Sequence, residues 1–418
     1  MEFASSVTYP LDNSAIIHLA ALRKAYTNAF RIAITLKEPV CVQTLQAALT
    51  HITPRFPTVI AGMKRGLFQY EVVPVSTPPQ VQKEQGHLVP MTKDEIRCCA
   101  FRIMYHKNTV AGEFFHSLTD GYGGMVVMNT LIAEYLRRRH SVFIPETDLI
   151  LDTNITAVHE ELIDDYFTHA GQKAAVLNHR RVYQLPEKPS SDHRAHITTG
   201  IFDAEAIRNT AHRYGVSVTT LLTAVMGASI IDIQKRHAES KHLKPVQIMV
   251  PVNLRRLFPS RTLRNFSLFA LPCVVPQTFD TAFESLLHSI QKQLSEQTTR
   301  EYMAGIMAAH TKAERFPLYR GLPLLMKLLI LRIGHRLFGE GNSCISLSNL
   351  GVISLPFEMR DYVEDINFAL TPRIKSPYNC GIVTYDGVMS INFSRHSAEP
   401  ELEEVFFARL RQLICIEV

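Results

Sequence analysis

The sequence contains no G-x-S-x-G elbow, no G-x-x-x-x-G-K-[ST] loop, no C-x-x-C pair, no H-E-x-x-H and no G-x-G-x-x-G run. Each of these strings builds one device: a strained nucleophile, a phosphate cradle, a thiolate or histidine metal site, a dinucleotide turn. Their absence weakens serine hydrolase, NTPase, zinc-ribbon and Rossmann readings together. A surplus of basic charge is missing too. Lys and Arg number 44 against 39 Asp and Glu, a net +5, far from the dense basic stripe of a nucleic-acid binder. Nucleic acid is therefore not an expected partner.

No uncharged apolar run reaches the length of a bilayer span. The most apolar segment, Leu322 to Phe338, is broken by Lys327, Arg332, His335 and Arg336, so it is too short and too charged to cross a membrane. It reads as a basic amphipathic helix, packed on its own core or lying at the lip of a channel or on a lipid surface. The first residues lack a basic stretch followed by an apolar one, so no secretory signal is visible. The seven cysteines are odd in number and scattered, in apolar settings such as Cys98-Cys99-Ala100-Phe101. They read as buried thiols in a reducing compartment, and the expectation is a cytoplasmic protein.

What is present is a folded chain of double size. With 418 residues, 46% hydrophobic and 20% charged, the chain exceeds one ordinary domain, and two lobes are expected. Phe30–Leu36 reads as a strand, followed by Glu38-Pro39 and a helix over 42–52 with apolar residues at Leu45, Ala48, Leu49 and Ile52. The design returns later: a strand over 196–202, Asp203 as an N-cap, then helices over 204–214 and 217–237. Between the copies lies the proline-bearing polar stretch Gln184 to Asp192. The division that follows is an N-terminal lobe over 1–183, a linker over 184–195 and a C-terminal lobe over 196–418. Strands are also expected over 97–105, 109–115, 246–252 and 343–347. Tyr385-Asp386-Gly387-Val388 marks a hairpin, and Ser348-Asn349-Leu350-Gly351 suits a tight turn. The fold class is α/β, a mixed α+β sandwich with substantial antiparallel sheet.

The chemistry concentrates in His116-Ser117-Leu118-Thr119-Asp120-Gly121, an H-x-x-x-D-G box between the strand over 109–115 and a helix opening at Gly121. A bare string of this kind is expected by chance about 0.03 times in such a composition, so it is moderately specific. An imidazole titrates near neutrality, and a neutral one at a strand end can take a proton from an alcohol or amine as that group attacks a carbonyl. Gly121 suits a tight backbone. Other readings stay open at this point: Asp120 as a helix cap, His116 as a hydrogen-bonded structural residue, or the two as metal ligands. No further ligand stands at a recognisable spacing, so the expectation is no metal.

This box, Pro251-Val252-Asn253-Leu254-Arg255 and the Ser348–Gly351 segment together resemble the chloramphenicol acetyltransferase-like superfamily. That superfamily includes condensation domains and alcohol acetyltransferases, and the resemblance runs from the strand near Phe30 to the hairpin near Ser394. It implies two pseudo-symmetric lobes with an active-site channel between them and His116 as general base. It also implies that Asp120 is structural and paired with an arginine, for which Arg255 is the candidate, with Gly121 supporting the loop. Ser348 and Asn349 are then candidate contacts to the oxyanion or substrate. The D-F-G-W-G box of plant members is missing, as is tryptophan altogether. The implied activity is acyl transfer from a CoA thioester, a co-substrate rather than a bound cofactor, to a small alcohol or amine. Two alternatives are a donor held on a separate carrier protein and a non-catalytic module that binds an apolar ligand or partner.

Overall fold

Strand Ala29–Leu36 is buried almost along its whole length because it has neighbours on both edges and packing on both faces. It runs antiparallel to Thr109–Phe115 on one side and to Val363–Leu370 on the other. Phe101–His106 and Gln82–Lys83 extend this five-stranded sheet. The computed structural model describes residues 7–11, 13–20, 22, 28–175, 180–186, 195–237, 243–276, 282–312, 316, 319, 321–334, 341–372 and 376–415. Of the expected 184–195 linker, residues 187–194 lie outside that set, as do 335–338 at the end of the expected helix over 322–338.

A second, larger sheet follows the order Ser267–Ala270, Val246–Asn253, Ile345–Ile353, Tyr378–Tyr385, Val388–Arg395, His196–Asp203, with Cys273–Val274 also pairing Val246–Asn253. It is mixed, since Ile345–Ile353 lies parallel to both of its neighbours. A small third sheet joins Tyr9–Pro10, Tyr70–Pro74 and Ala61–Arg65. Two main hydrophobic cores correspond to the two large sheets. The chain crosses between them: Val363–Leu370 edges the first sheet, and a Cβ on Gly381 would sit 2.4 Å from the Phe368 carbonyl oxygen, so the two layers touch backbone to backbone there.

The helices follow their apolar spacing. Val42–Ile52 buries Leu45, Ala48, Leu49 and Ile52, one face at i, i+3, i+4 and i+7. Asp203 caps Ala204–Arg213, accepting from the Glu205 and Ala206 amides at 2.7 and 3.0 Å. At the hairpin, Asp386 (φ 46°) and Gly387 (φ 78°) both adopt positive φ, as a two-residue turn joining right-twisted strands requires.

Two local expectations are corrected. Residues 93–98 form a helix, not the start of a strand, because Thr92 and Glu95 make a reciprocal capping box; the strand is Phe101–His106. Ser348-Asn349-Leu350-Gly351 is not a turn but part of the nine-residue strand Ile345–Ile353, interrupted between Asn349 and Val352. Parallel pairing to Tyr378–Tyr385 carries the chain onward, and the Asn/Gly signal produces a bulge, with Gly351 at φ 82°.

Candidate active site

His116 stands immediately after strand Thr109–Phe115, and its backbone is fixed from both sides. Its amide donates to the Asn28 carbonyl at 2.9 Å, and its carbonyl accepts from Asn265 Nδ2 at 3.3 Å. The next residues anchor the elbow to other elements. Ser117 Oγ donates to the Ala15 carbonyl of helix Asn13–Ala20 at 2.8 Å, and Thr119 Oγ1 to the Leu263 carbonyl at 2.6 Å. Asp120 then closes the box as N-cap of helix Gly121–His140, its Oδ1 accepting from the Gly123 amide at 3.1 Å.

The other carboxylate oxygen of Asp120 reaches the second lobe. Oδ2 accepts from Arg255 Nη1 at 2.7 Å and from the Phe266 amide at 2.8 Å, and both side chains of the ion pair are over nine-tenths buried. Arg255 spends its remaining donors on backbone and amide oxygens: Nε on Thr262 O, Nη1 on Asn253 Oδ1 and Nη2 on Arg264 O. Its guanidinium lies 4.7 Å over the Tyr122 ring. Asp120 therefore clamps the two lobes, and none of its hydrogen bonds goes to His116.

At Gly121 the approach is by a side-chain tip, since a Cβ there would fall 2.5 Å from Leu350 Cδ2 of the bulged strand, which would have to move aside. Gly123 is tighter, with 2.2 Å to Thr119 Oγ1 and 2.4 Å to the Leu263 carbonyl oxygen. Gly123→Ala must push backbone apart and is expected to lower stability by about 1–3 kcal/mol, read as a fall in thermal midpoint; an unchanged midpoint contradicts this account.

The His116 ring is half-buried at the wall of a cavity of about 1930 Å³, larger than the roughly 300–1,000 Å³ of a usual single-ligand pocket. Phe30 presents its edge at 5.2 Å and His18 stacks on the ring at 4.8 Å between centroids. Neither ring nitrogen of His116 hydrogen-bonds another residue among those described. Burial pushes the imidazole below its ordinary pKa, and its own backbone carbonyl and the Asp120 carboxylate only partly offset that. The ring is accordingly biased toward the neutral form.

Of the sequence candidates, His116, Asp120, Gly121, Arg255, Ser348 and Asn349 all line this one cavity. Ser348 is buried at its wall. Asn349 is partly committed, its Oδ1 accepting from the Gly351 amide at 2.8 Å and its Nδ2 donating to Thr219 Oγ1 at 3.3 Å. Sequence reasoning missed His18, Asn28, Phe30 and Asn265. His18 precedes the box by nearly a hundred residues in a short helix, with no local signal. Among the described residues, no three His, Cys, Asp or Glu side chains group as metal ligands.

No protein-family description and no curated sequence matches the chain. Solved structures do. TRI101 of F. sporotrichioides, complexed with coenzyme A and T-2, superposes with a TM-score of 0.64 at 13% identity, covering 96% of this chain and 97% of the other. The chain has the two-lobed fold of condensation domains and chloramphenicol acetyltransferase-like proteins. Polyketide synthase associated protein 5 from Mycobacterium tuberculosis gives a TM-score of 0.60 at 14% identity over 99% and 100% of the two chains. The first condensation domain of the calcium-dependent antibiotic synthetase gives 0.61 at 13% over 98% and 96%. No single helix among the described residues is long and apolar enough to cross a membrane.

Proposed function

We propose that the protein is an acyltransferase that moves an acyl group from a CoA thioester to an alcohol or amine, with His116 as general base. The observation that carries this is an imidazole biased toward neutrality, on the wall of a large cavity, with no other described residue hydrogen-bonded to its nitrogens. Nδ1 is enclosed, without a hydrogen-bond partner among the described residues, and in this reading it keeps the ring proton while Nε2 offers its lone pair to substrate. In this reading Nε2 takes the acceptor's O–H or N–H proton as that atom bonds to the thioester carbon. The tetrahedral oxyanion collapses, the C–S bond breaks, and the departing thiolate recovers the proton from Nε2. No acyl-enzyme forms and no tightly bound cofactor is required.

Arg255 and Asp120 act by holding the box rigid between the lobes, not by touching substrate. Ser348 is the candidate donor to the oxyanion; the Asn349 amide is the weaker one, being shared with Thr219. The test is thiol release from a panel of acyl-CoAs with alcohols and amines, followed by mass spectrometry of products and repeated with a separate acyl carrier protein as donor. Release that depends on the carrier protein moves the donor assignment; no release with either donor contradicts acyl transfer.

A pH profile provides a further check. The active form is the neutral base and its pKa is depressed, so kcat/KM is expected to be flat around neutrality and to fall about tenfold per unit only below a pKa under 6.5. An activity that rises steeply between pH 7 and 8 contradicts a buried neutral imidazole.

A further inference from the structure

Helix Leu324–Gly334 is apolar on both faces, and among the described residues only one is covered. Leu324 and Leu328 pack on Ile16, Tyr70 and Leu331. Leu325, Met326, Leu329, Ile330 and Ile333 share the other face at i, i+1, i+4, i+5 and i+8, and they are 49–63% exposed. Single exposed hydrophobes are ordinary on a protein surface, whereas a contiguous apolar row marks something that covers it.

A second exposed apolar segment is fastened to the same helix. Leu67 and Phe68, at the tip of the hairpin between Ala61–Arg65 and Tyr70–Pro74, are 71% and 46% exposed. The tip is fastened to the helix: the Leu324 amide donates to the Leu67 carbonyl at 2.9 Å, and Lys327 Nζ donates to the Phe68 carbonyl at 3.0 Å. Two elements that carry exposed apolar side chains are thereby held together through the Leu67 and Phe68 carbonyls.

The charge around the patch selects the occupant. Lys64 and Arg65 are exposed on the strand that leads to the tip, with Glu71 opposite Lys64 in the ladder. On the helix itself Arg332, next to Ile333, is exposed as well, while Lys327 turns to the covered side. Apolar side chains flanked by cations match an anionic lipid surface, where acyl chains take the former and headgroups the latter. A second copy of the same surface would instead oppose cation to cation.

We infer that helix Leu324–Gly334 and the Leu67-Phe68 tip form a docking surface for an anionic phospholipid membrane. Ile330 and Leu331 of the same helix line the large cavity, so docking sets the cavity rim against the lipid. This inference does not depend on the chemistry proposed for His116.

The test is flotation of the purified full chain with vesicles of phosphatidylcholine alone and of phosphatidylcholine with about one-third phosphatidylserine. The chain is expected to float with the anionic vesicles, to bind phosphatidylcholine weakly, and to release as salt rises. A Leu325→Gln, Leu329→Gln, Ile333→Gln triple variant changes only exposed positions that do not line the cavity. It should keep the wild-type melting curve and lose roughly tenfold or more of the vesicle binding; Lys64→Glu with Arg65→Glu should weaken binding to the anionic vesicles alone. Failure of the wild type to float, full binding by the folded triple variant, or equal binding to pure phosphatidylcholine each overturns the assignment. So does a wild-type dimer in light scattering that the triple variant converts to monomer, because a second copy would then be the occupant.

Discussion

His116→Ala is expected to lower kcat by about 10² to 10⁴-fold, the usual worth of a positioned general base, while leaving KM for the acyl donor nearly unchanged. The separation follows from where the ring sits. Its faces meet His18 and Phe30, and its backbone is held by Asn28 and Asn265, so truncation removes the ring without removing the anchors of the loop. The box is held by Ser117, Thr119 and Asp120 through contacts that an alanine at 116 does not touch. Circular dichroism and the thermal midpoint should therefore stay close to wild type. Single-turnover rates with a saturating acyl-CoA separate loss of chemistry from loss of binding. A folded variant with near wild-type turnover removes His116 from the mechanism.

The sheet signals were legible because burial and pairing are local consequences of composition. Phe30–Leu36, the 109–115 strand, Asp203 as cap and the Asp386-Gly387 hairpin are each determined by a few neighbouring residues. The bulged strand at Ser348–Gly351 was misread for a physical reason: Asn and Gly signal a positive φ, but whether the chain turns or bulges there depends on pairing with Tyr378–Tyr385, thirty residues away. The Thr92–Glu95 capping box was in the sequence and was overridden by the β-rich run that follows it. In the site, His116 and Asp120 belong to one string, but the pairing of Asp120 with Arg255 spans 135 residues and entered only through resemblance to a known superfamily. His18 could not have been found, because its approach to His116 is set by packing of the N-terminal helix, through Ser117 and Ala15, against the elbow. The segment containing Leu324–Gly334 was read as a basic amphipathic helix with core, channel lip and lipid surface all open, because which side has a neighbour is set by packing on Ile16 and Tyr70, far away in sequence.

Asp120→Ala should be the most damaging single change to the architecture. The carboxylate accepts from Arg255 Nη1, the Phe266 amide and the Gly123 amide, and its loss strands all three donors in a region where both ion-pair side chains are over nine-tenths buried. Breaking one partner of such a pair costs about 3–5 kcal/mol, because the remaining charge stays buried without compensation. At roughly 2–4 °C per kcal/mol for a lobe of this size, the thermal midpoint should fall by roughly 6–20 °C. Asp120→Asn retains an acceptor for one amide donor and should cost less. Asp120→Leu combined with Arg255→Met removes both charges at similar volume and should be less destabilised than either single change, the sign of coupling that identifies a buried pair. Purely additive losses in that cycle would mean that Asp120 serves only as a helix cap and that the lobes are held by something else. If coupling is found, the activity of the double variant decides what the clamp does: a protein with a restored midpoint but a kcat still depressed relative to wild type would show that the ion pair sets the position of His116, whereas full recovery would make it a stability device alone.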